Sequence, residues 1–419
     1  MAPTNAATSS GPAAGERVRR RHVLYLSGFD PQGPGHYHAL YAEQAALQSK
    51  VSGDQITVGP RQRAGRNAAW DVQWRSADGD ETVQTRYEFL RWDDIVRQHW
   101  PRGQARLLAV TLGTTWRLLA NGSLWRILQT SWPAFLALSL PAALLLVVPA
   151  AMLALSGLGW WIGAQVSAWL GVLVVAAGAL ALRHWAQRAQ AKVQMAWLMR
   201  SASVILEQAR GQLPALEERL DEFARRLCER VGASEVDEVL VVGHSSGAML
   251  AASVVARALL ADDHLLRRPT TLSLLTLGEC IPLLSYQPEA AMFRQELGVL
   301  RSAQGLSWID VTAPPDGCCF ALIDPTEVCE DGVADEARTS GGPKRVSPRF
   351  ARCFPPERYR VVRRDKYRCH FQYLMAVEVP RTYDYFAVSA GPQRLAQAFA
   401  HQPGVTRFTD FQCFGGPRR

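Results

Sequence analysis

One stretch breaks the mixing of apolar and charged positions that runs through the rest of the chain. From Ile127 to Leu182 there is no Asp, Glu, Lys or Arg, with Arg126 and Arg183 standing immediately outside. A helix needs about 20 apolar residues to cross roughly 30 Å of hydrocarbon, so the stretch predicts two helices. They fall at about 133–155 and 160–182, turned at Ser156, Gly157 and Gly159. The alternative, a hairpin buried in a soluble core, would show polar positions on an outward face. Trp132, Trp160, Trp161 and Trp185 lie near the predicted ends, as interfacial aromatic residues do. Arg117, Arg126, Arg183, Arg188, Lys192 and Arg200 flank the hairpin, with no acidic residue between Arg102 and Glu207. The positive-inside rule then predicts an integral membrane protein, of the bacterial inner-membrane kind, with both termini and the soluble domain cytoplasmic.

Elsewhere short β-branched runs alternate with longer helical ones, the pattern of an α/β protein with a mostly parallel sheet and flanking helices. Strands are expected at His22–Leu26, Gln55–Val58, Val236–Val242, Thr271–Leu277, Ser307–Val311 and Tyr359–Val362, and an added hairpin at Trp70–Trp74 and Thr82–Phe89 about Asp78-Gly79-Asp80. A helix from about His184 to Gln212 and another from Pro214 to about Val231 follow the apolar stretch. The expected organisation is a tail at 1–20, the first part of the α/β domain at 21–126, the membrane hairpin at 127–183, connecting helices at 184–235 and the second part of the domain at 236–419. Residues Thr326–Ser347, rich in glycine and charge, are expected to form a flexible excursion.

With 419 residues, 48% of them hydrophobic and 20% charged, the chain can build a large core and is too apolar for a disordered protein. Its net charge of +8 suits nucleic acid or an anionic membrane surface; no nucleic-acid motif accompanies the charge, which leaves the membrane. Met1–Gly15 has no apolar core of the secretory kind. Eight irregularly spaced cysteines, Cys318 and Cys319 adjacent, read as reduced thiols, and no Cys/His group has zinc spacing. Neither a metal nor an organic cofactor is expected.

The sharpest motif is Gly243-His244-Ser245-Ser246-Gly247, between the apolar run Val239–Val242 and the small, apolar run Ala248–Val255. Strand, tight turn and helix are what a nucleophile elbow requires: small residues let the chain turn sharply enough to present a strained serine beside a helix N-terminus. An ordinary small-residue strand-to-helix turn is the plainer reading of the same five residues. In this motif and its surroundings the sequence resembles the α/β-hydrolase superfamily of lipase- and esterase-like serine hydrolases. The resemblance implies that an acid and then a histidine follow the nucleophile. Asp316, in the loop after Trp308-Ile309-Asp310-Val311, is the expected acid, with Asp310 and Asp324 as competitors. His370, in Tyr367-Arg368-Cys369-His370-Phe371, is the expected base, with His401 next in order; His244 is expected to shape the pocket.

The resemblance further implies an oxyanion hole from the backbone N–H of Ser246 and of Phe29, the latter in Leu26-Ser27-Gly28-Phe29-Asp30, where Ser27 replaces the family's usual histidine. It covers roughly residues 21–87 and 236–399, leaving the hairpin as an insertion. Ten Lys or Arg residues against Glu357 and Asp365 between Lys344 and Arg368 form either a solvated face or a contact for anionic lipid headgroups. The function these features imply is a membrane-anchored serine hydrolase acting on carboxylic esters or thioesters, lipid-like ones included, through an acyl-enzyme. A non-catalytic membrane scaffold on the same fold, and an amidase, peptidase or acyltransferase using the same triad, are the alternatives.

Overall fold

The computed structural model describes residues 17–100, 103–193, 195–327 and 341–405. Its centre is a nine-stranded sheet of β1 (Arg20–Leu26), β2 (Gln55–Val58), β3 (Gln62–Ala64), β4 (Asn67–Arg75), β5 (Thr82–Phe89), β6 (Glu238–His244), β7 (Thr271–Leu277), β8 (Ser307–Val311) and β9 (Lys344–Val346). The order is β2-β4-β5-β1-β6-β7-β8-β9, with β3 paired to β4. From β5 through β1 to β9 every pair is parallel, and β2, β3, β4 and β5 form an antiparallel extension. The protein is therefore mixed α/β with a mostly parallel central sheet.

The chemistry of the strands follows their position. β6 and β7 are covered on both faces and read as continuous apolar runs, whereas β4 and β5 alternate, as strands with one solvated face do. One face of the sheet carries the helices Pro214–Gly232, Ser246–Ala261 and Ala291–Ser302. The other carries Pro34–Ser52 and the C-terminal helices, joined through an aromatic cluster in which Trp70 stacks on Tyr87 with ring centroids 4.7 Å apart.

Between β5 and β6 the chain makes a long helical excursion that begins and ends against the sheet. Its two longest helices, Trp132–Gln165 and Ala168–Val193, pack on each other and are long and apolar enough to cross a membrane. Their most apolar windows are only 17% and 6% buried, which sets them apart from the covered hairpin of a soluble core. The turn expected at Ser156, Gly157 and Gly159 falls instead at Val166–Ser167. Gly159 and Gly178 serve contact instead: a Cβ on Gly159 would lie 2.9 Å from Gly171 O, and one on Gly178 2.8 Å from the Leu155 side chain. In an apolar setting a glycine keeps its helical hydrogen bond, because no water competes for it.

Two further expectations need correcting. Tyr359–Val362 is not a strand but lies in the helix Pro356–Arg364. Pro355-Pro356 at its start, Glu357 in the first turn and Arg363 and Arg364 in the last are helix signals that outweigh a single Val-Val pair. The helix expected from His184 is the end of the hairpin's second helix, followed by a separate helix Met195–Ala209, with residue 194 outside the described residues. β9 falls within the expected excursion Thr326–Ser347, of which residues 328–340 lie outside the described residues, as do 1–16 of the expected tail.

Candidate active site

The parallel strands β1 and β6 end side by side, Leu26 in register with Gly243, so the loop after β1 and the turn after β6 meet. Ser245 sits at the turn with φ 59° and ψ −128°, a conformation that costs a non-glycine residue energy and persists because its surroundings fix it. Three glycines do the fixing. A Cβ on Gly247 would lie 2.5 Å from Ser27 O, one on Gly243 2.5 Å from Gly247 O, and one on Gly28 2.9 Å from Ser245 Cβ. The helix Ser246–Ala261 starts directly behind the serine.

The loop of Phe29 is held as firmly. Trp92 Nε1 donates to Ser27 O at 2.9 Å, Trp197 Nε1 to Phe29 O at 2.6 Å, and the Phe29 ring stacks on Trp100. Asp30 accepts from Gln32 N and from the Tyr37 hydroxyl, and burial pushes its carboxyl up against those bonds. Among the described residues, Phe29 N–H and Ser246 N–H donate to no other backbone carbonyl outside the regular helices and strands. Neither is committed there, so both remain candidates for the donor role expected of them.

His370 lies on the short helix Lys366–Phe371, fully buried, and its Nδ1 is 2.8 Å from Asp316 Oδ2. Asp316 is the one of the three candidate acids that His370 meets. Its other oxygen accepts from Cys318 N at 2.9 Å, and Oδ2 also accepts from the Tyr373 hydroxyl at 3.1 Å. Burial alone would raise the carboxyl; the imidazole of His370 and these bonds outweigh it and hold Asp316 below its usual range. Asp310 points elsewhere, accepting from Thr276 Oγ1 at 2.7 Å, and burial pushes it up to about 7. Asp324 accepts from Thr326. His401 lines a separate surface cleft with Arg349 and Arg381.

His244, expected to shape the pocket, hydrogen-bonds through Nε2 to the backbone carbonyl of His370 at 2.9 Å, with the two imidazoles 4.9 Å apart. Burial, and then the neighbouring His370, press its pKa to about 3, so it is neutral and donates from Nε2. Among the described residues Nε2 of His370 is buried with no hydrogen-bond partner, and no hydrogen bond joins it to Ser245. The acid–base half of the arrangement is assembled and the nucleophile–base bond is not made. Such bonds are often long in unliganded enzymes and tighten with substrate.

The Cys318 sulfur, an Asp316 oxygen and a His370 nitrogen lie within 4.8 Å of one another, a donor set that could hold a metal ion. Burial and the Asp316 charge push the Cys318 thiol well up.

Above Ser245 lies a cavity of about 20 Å³, room for about one water, whose apolar walls come largely from the excursion: Ala134, Ala137 and Leu138 of the first hairpin helix and Leu198, Ala202 and Ile205 of the helix after it. Ser245 is only 6% exposed. Sequence reasoning missed these wall residues, together with Trp197 and Tyr373. Their positions depend on how the excursion folds back over the sheet, which no local spacing reveals. No family model matches the chain, and neither does a curated protein or a solved structure.

Proposed function

We propose that the protein is a membrane-anchored serine hydrolase that cleaves carboxylic esters or thioesters, lipid-like ones among them, through an acyl-enzyme. The observation that carries the reading is the buried Asp316–His370 pair beside a serine held in an elbow at φ 59°. Ser245 Oγ attacks the carbonyl carbon while its proton passes to Nε2 of His370, the nitrogen that Asp316 leaves free. Asp316 holds the Nδ1 proton and stabilises the imidazolium. Phe29 and Ser246 N–H receive the oxyanion, each such donor contributing roughly 3 kcal/mol. The imidazolium then protonates the leaving alcohol or thiol, and water, deprotonated by His370, releases the acid.

The apolar walls over Ser245 support an acyl chain as the bound part once they part to admit it, since the space between them holds about one water, and their origin partly in the hairpin supports a substrate drawn from the bilayer. The two apolar helices are read as crossing the membrane, with their basic flanks on the cytoplasmic side. The unmade Ser245–His370 bond favours the second reading, a non-catalytic scaffold that keeps the fold to bind a partner. Labelling of the detergent-solubilised protein by a fluorophosphonate separates the two. Loss of labelling in both Ser245→Ala and His370→Ala supports the hydrolase; an unlabelled, folded parent overturns it.

A further inference from the structure

The helix Gln104–Ala120 is inverted in polarity. The residues it turns to the protein include Thr111 and Thr114, 6% and 2% exposed, with Leu118. The residues it turns outward are Leu108, Leu112, Trp116 and Leu119, which are 44%, 49%, 71% and 57% exposed. The spacing of these four, at steps of four, four and three, makes one continuous helical stripe. The next helix, Ser123–Thr130, adds another exposed large apolar side chain, Trp125, at 64%. A helix of a water-soluble protein places its apolar stripe inward, and a contiguous exposed patch of this kind marks a binding surface.

Three observations identify what covers it. The inverted helix packs directly on the first hairpin helix and on Met195–Ala209, which sets the stripe beside the hairpin. Leucine and tryptophan make up its large side chains, with Trp116 and Trp125 the most exposed, as in helices lying at a membrane interface. The only charges on the two helices are Arg106, Arg117 and Arg126, and no Asp or Glu occurs between Asp94 and Glu207, a balance suited to anionic headgroups and to no basic partner.

We infer that Gln104–Ala120 and Ser123–Thr130 form an in-plane platform that lies on the membrane surface beside the hairpin, with Leu108, Leu112, Trp116 and Trp125 in the headgroup–acyl boundary. The inference rests on the reading that the hairpin enters the bilayer. It adds that the soluble domain is docked flat on the leaflet rather than tethered at a distance. Because helix Met195–Ala209, which the platform contacts, also walls the cavity over Ser245, the platform holds that wall close to the membrane surface.

The test uses the full chain in vesicles of phosphatidylcholine and phosphatidylglycerol, with bromine on the acyl chain either near the headgroup or near the bilayer centre. Tryptophan fluorescence is compared among the parent, Trp116→Phe with Trp125→Phe, and Trp160→Phe with Trp161→Phe. The platform predicts that the first double variant removes part of the shallow-bromine quenching, on the scale of two tryptophans in thirteen, and leaves deep-bromine quenching unchanged. Quenching that falls for the Trp160 and Trp161 variant alone overturns the platform and leaves the hairpin in the membrane. Quenching lost for neither overturns both. A platform sealed by a second copy or by another protein would give Trp116 and Trp125 no bromine quenching, and overturns the inference equally.

Discussion

The two halves of the candidate site are held by different means. The serine half is a backbone construction: Ser245 takes its conformation from Gly28, Gly243 and Gly247, whose missing side chains let three segments touch. The acid–base half is a side-chain construction, in which Asp316 is gripped by His370, Tyr373 and the Cys318 N–H, and His370 is in turn held through its carbonyl by His244. Backbone contacts tolerate no added atom. Side-chain networks can lose one member and weaken by degrees. A single methyl group therefore threatens the first half, and only the loss of a charge or a tautomer threatens the second.

The largest expected effect tests whether the side-chain half serves catalysis at all. On the proposed mechanism Asp316→Asn leaves the fold intact and lowers kcat about 10⁴-fold, because the amide turns the imidazole to the wrong tautomer. Single-turnover hydrolysis of an activated ester measures it, and a change below tenfold would place Asp316 outside the chemistry. Next comes the backbone half: Gly247→Ala forces a Cβ against the carbonyls of Leu26 and Ser27 and is expected to cost about 3 kcal/mol, seen as a lowered midpoint in chemical denaturation. An alanine variant as stable as the parent would show that the elbow has slack.

Tyr373→Phe removes one of three bonds to the Asp316 carboxylate and strands the Ala313 N–H, which donates to the same hydroxyl at 2.9 Å. A loss of about 2 kcal/mol in stability is expected, with a rise in the pKa of the Asp316 carboxyl, which this bond helps to hold down, read in the acid limb of the pH–rate profile. An unmoved profile would separate Tyr373 from the site.

The smallest effect concerns Asp310, buried and raised to about 7. A carboxyl with a folded pKa above its unfolded one favours folding in its protonated form, so its contribution falls as pH rises from about 4 through about 7. Asp310→Asn is therefore expected to raise the melting temperature by a few degrees at pH 8 and to change it little at pH 4. Equal shifts at both values would assign the effect to packing.

The same division separates what the amino-acid sequence announces from what it hides. The elbow is local, so five consecutive residues and the strand and helix around them announce it. The parallel strands are legible because burial on both faces leaves continuous apolar runs, and the hairpin because nothing charged occurs in it. The acid is legible only as a choice among three, since Asp310, Asp316 and Asp324 differ in nothing that spacing records; the turn at Ala313–Cys318 aims the middle one at His370. The strand expected at Tyr359–Val362 fails because β propensity is weak against a proline start and matched end charges. The turn expected at Gly157 and Gly159 fails because a glycine between apolar helices, as Gly159 is, marks close approach as readily as a bend.

The place of the helical excursion also has a consequence for how the chain is made. β1 lies at the middle of the sheet, yet one of its two neighbours, β5, precedes the excursion and the other, β6, follows it. During synthesis β1 therefore waits with one edge unpaired while both apolar helices are produced, an open template for mispairing with other chains. On the proposed membrane reading, delivery of the hairpin to the bilayer before β6 emerges would fix the nascent sheet at a surface, away from its neighbours, until Glu238–His244 closes that edge and brings Ser245 into place.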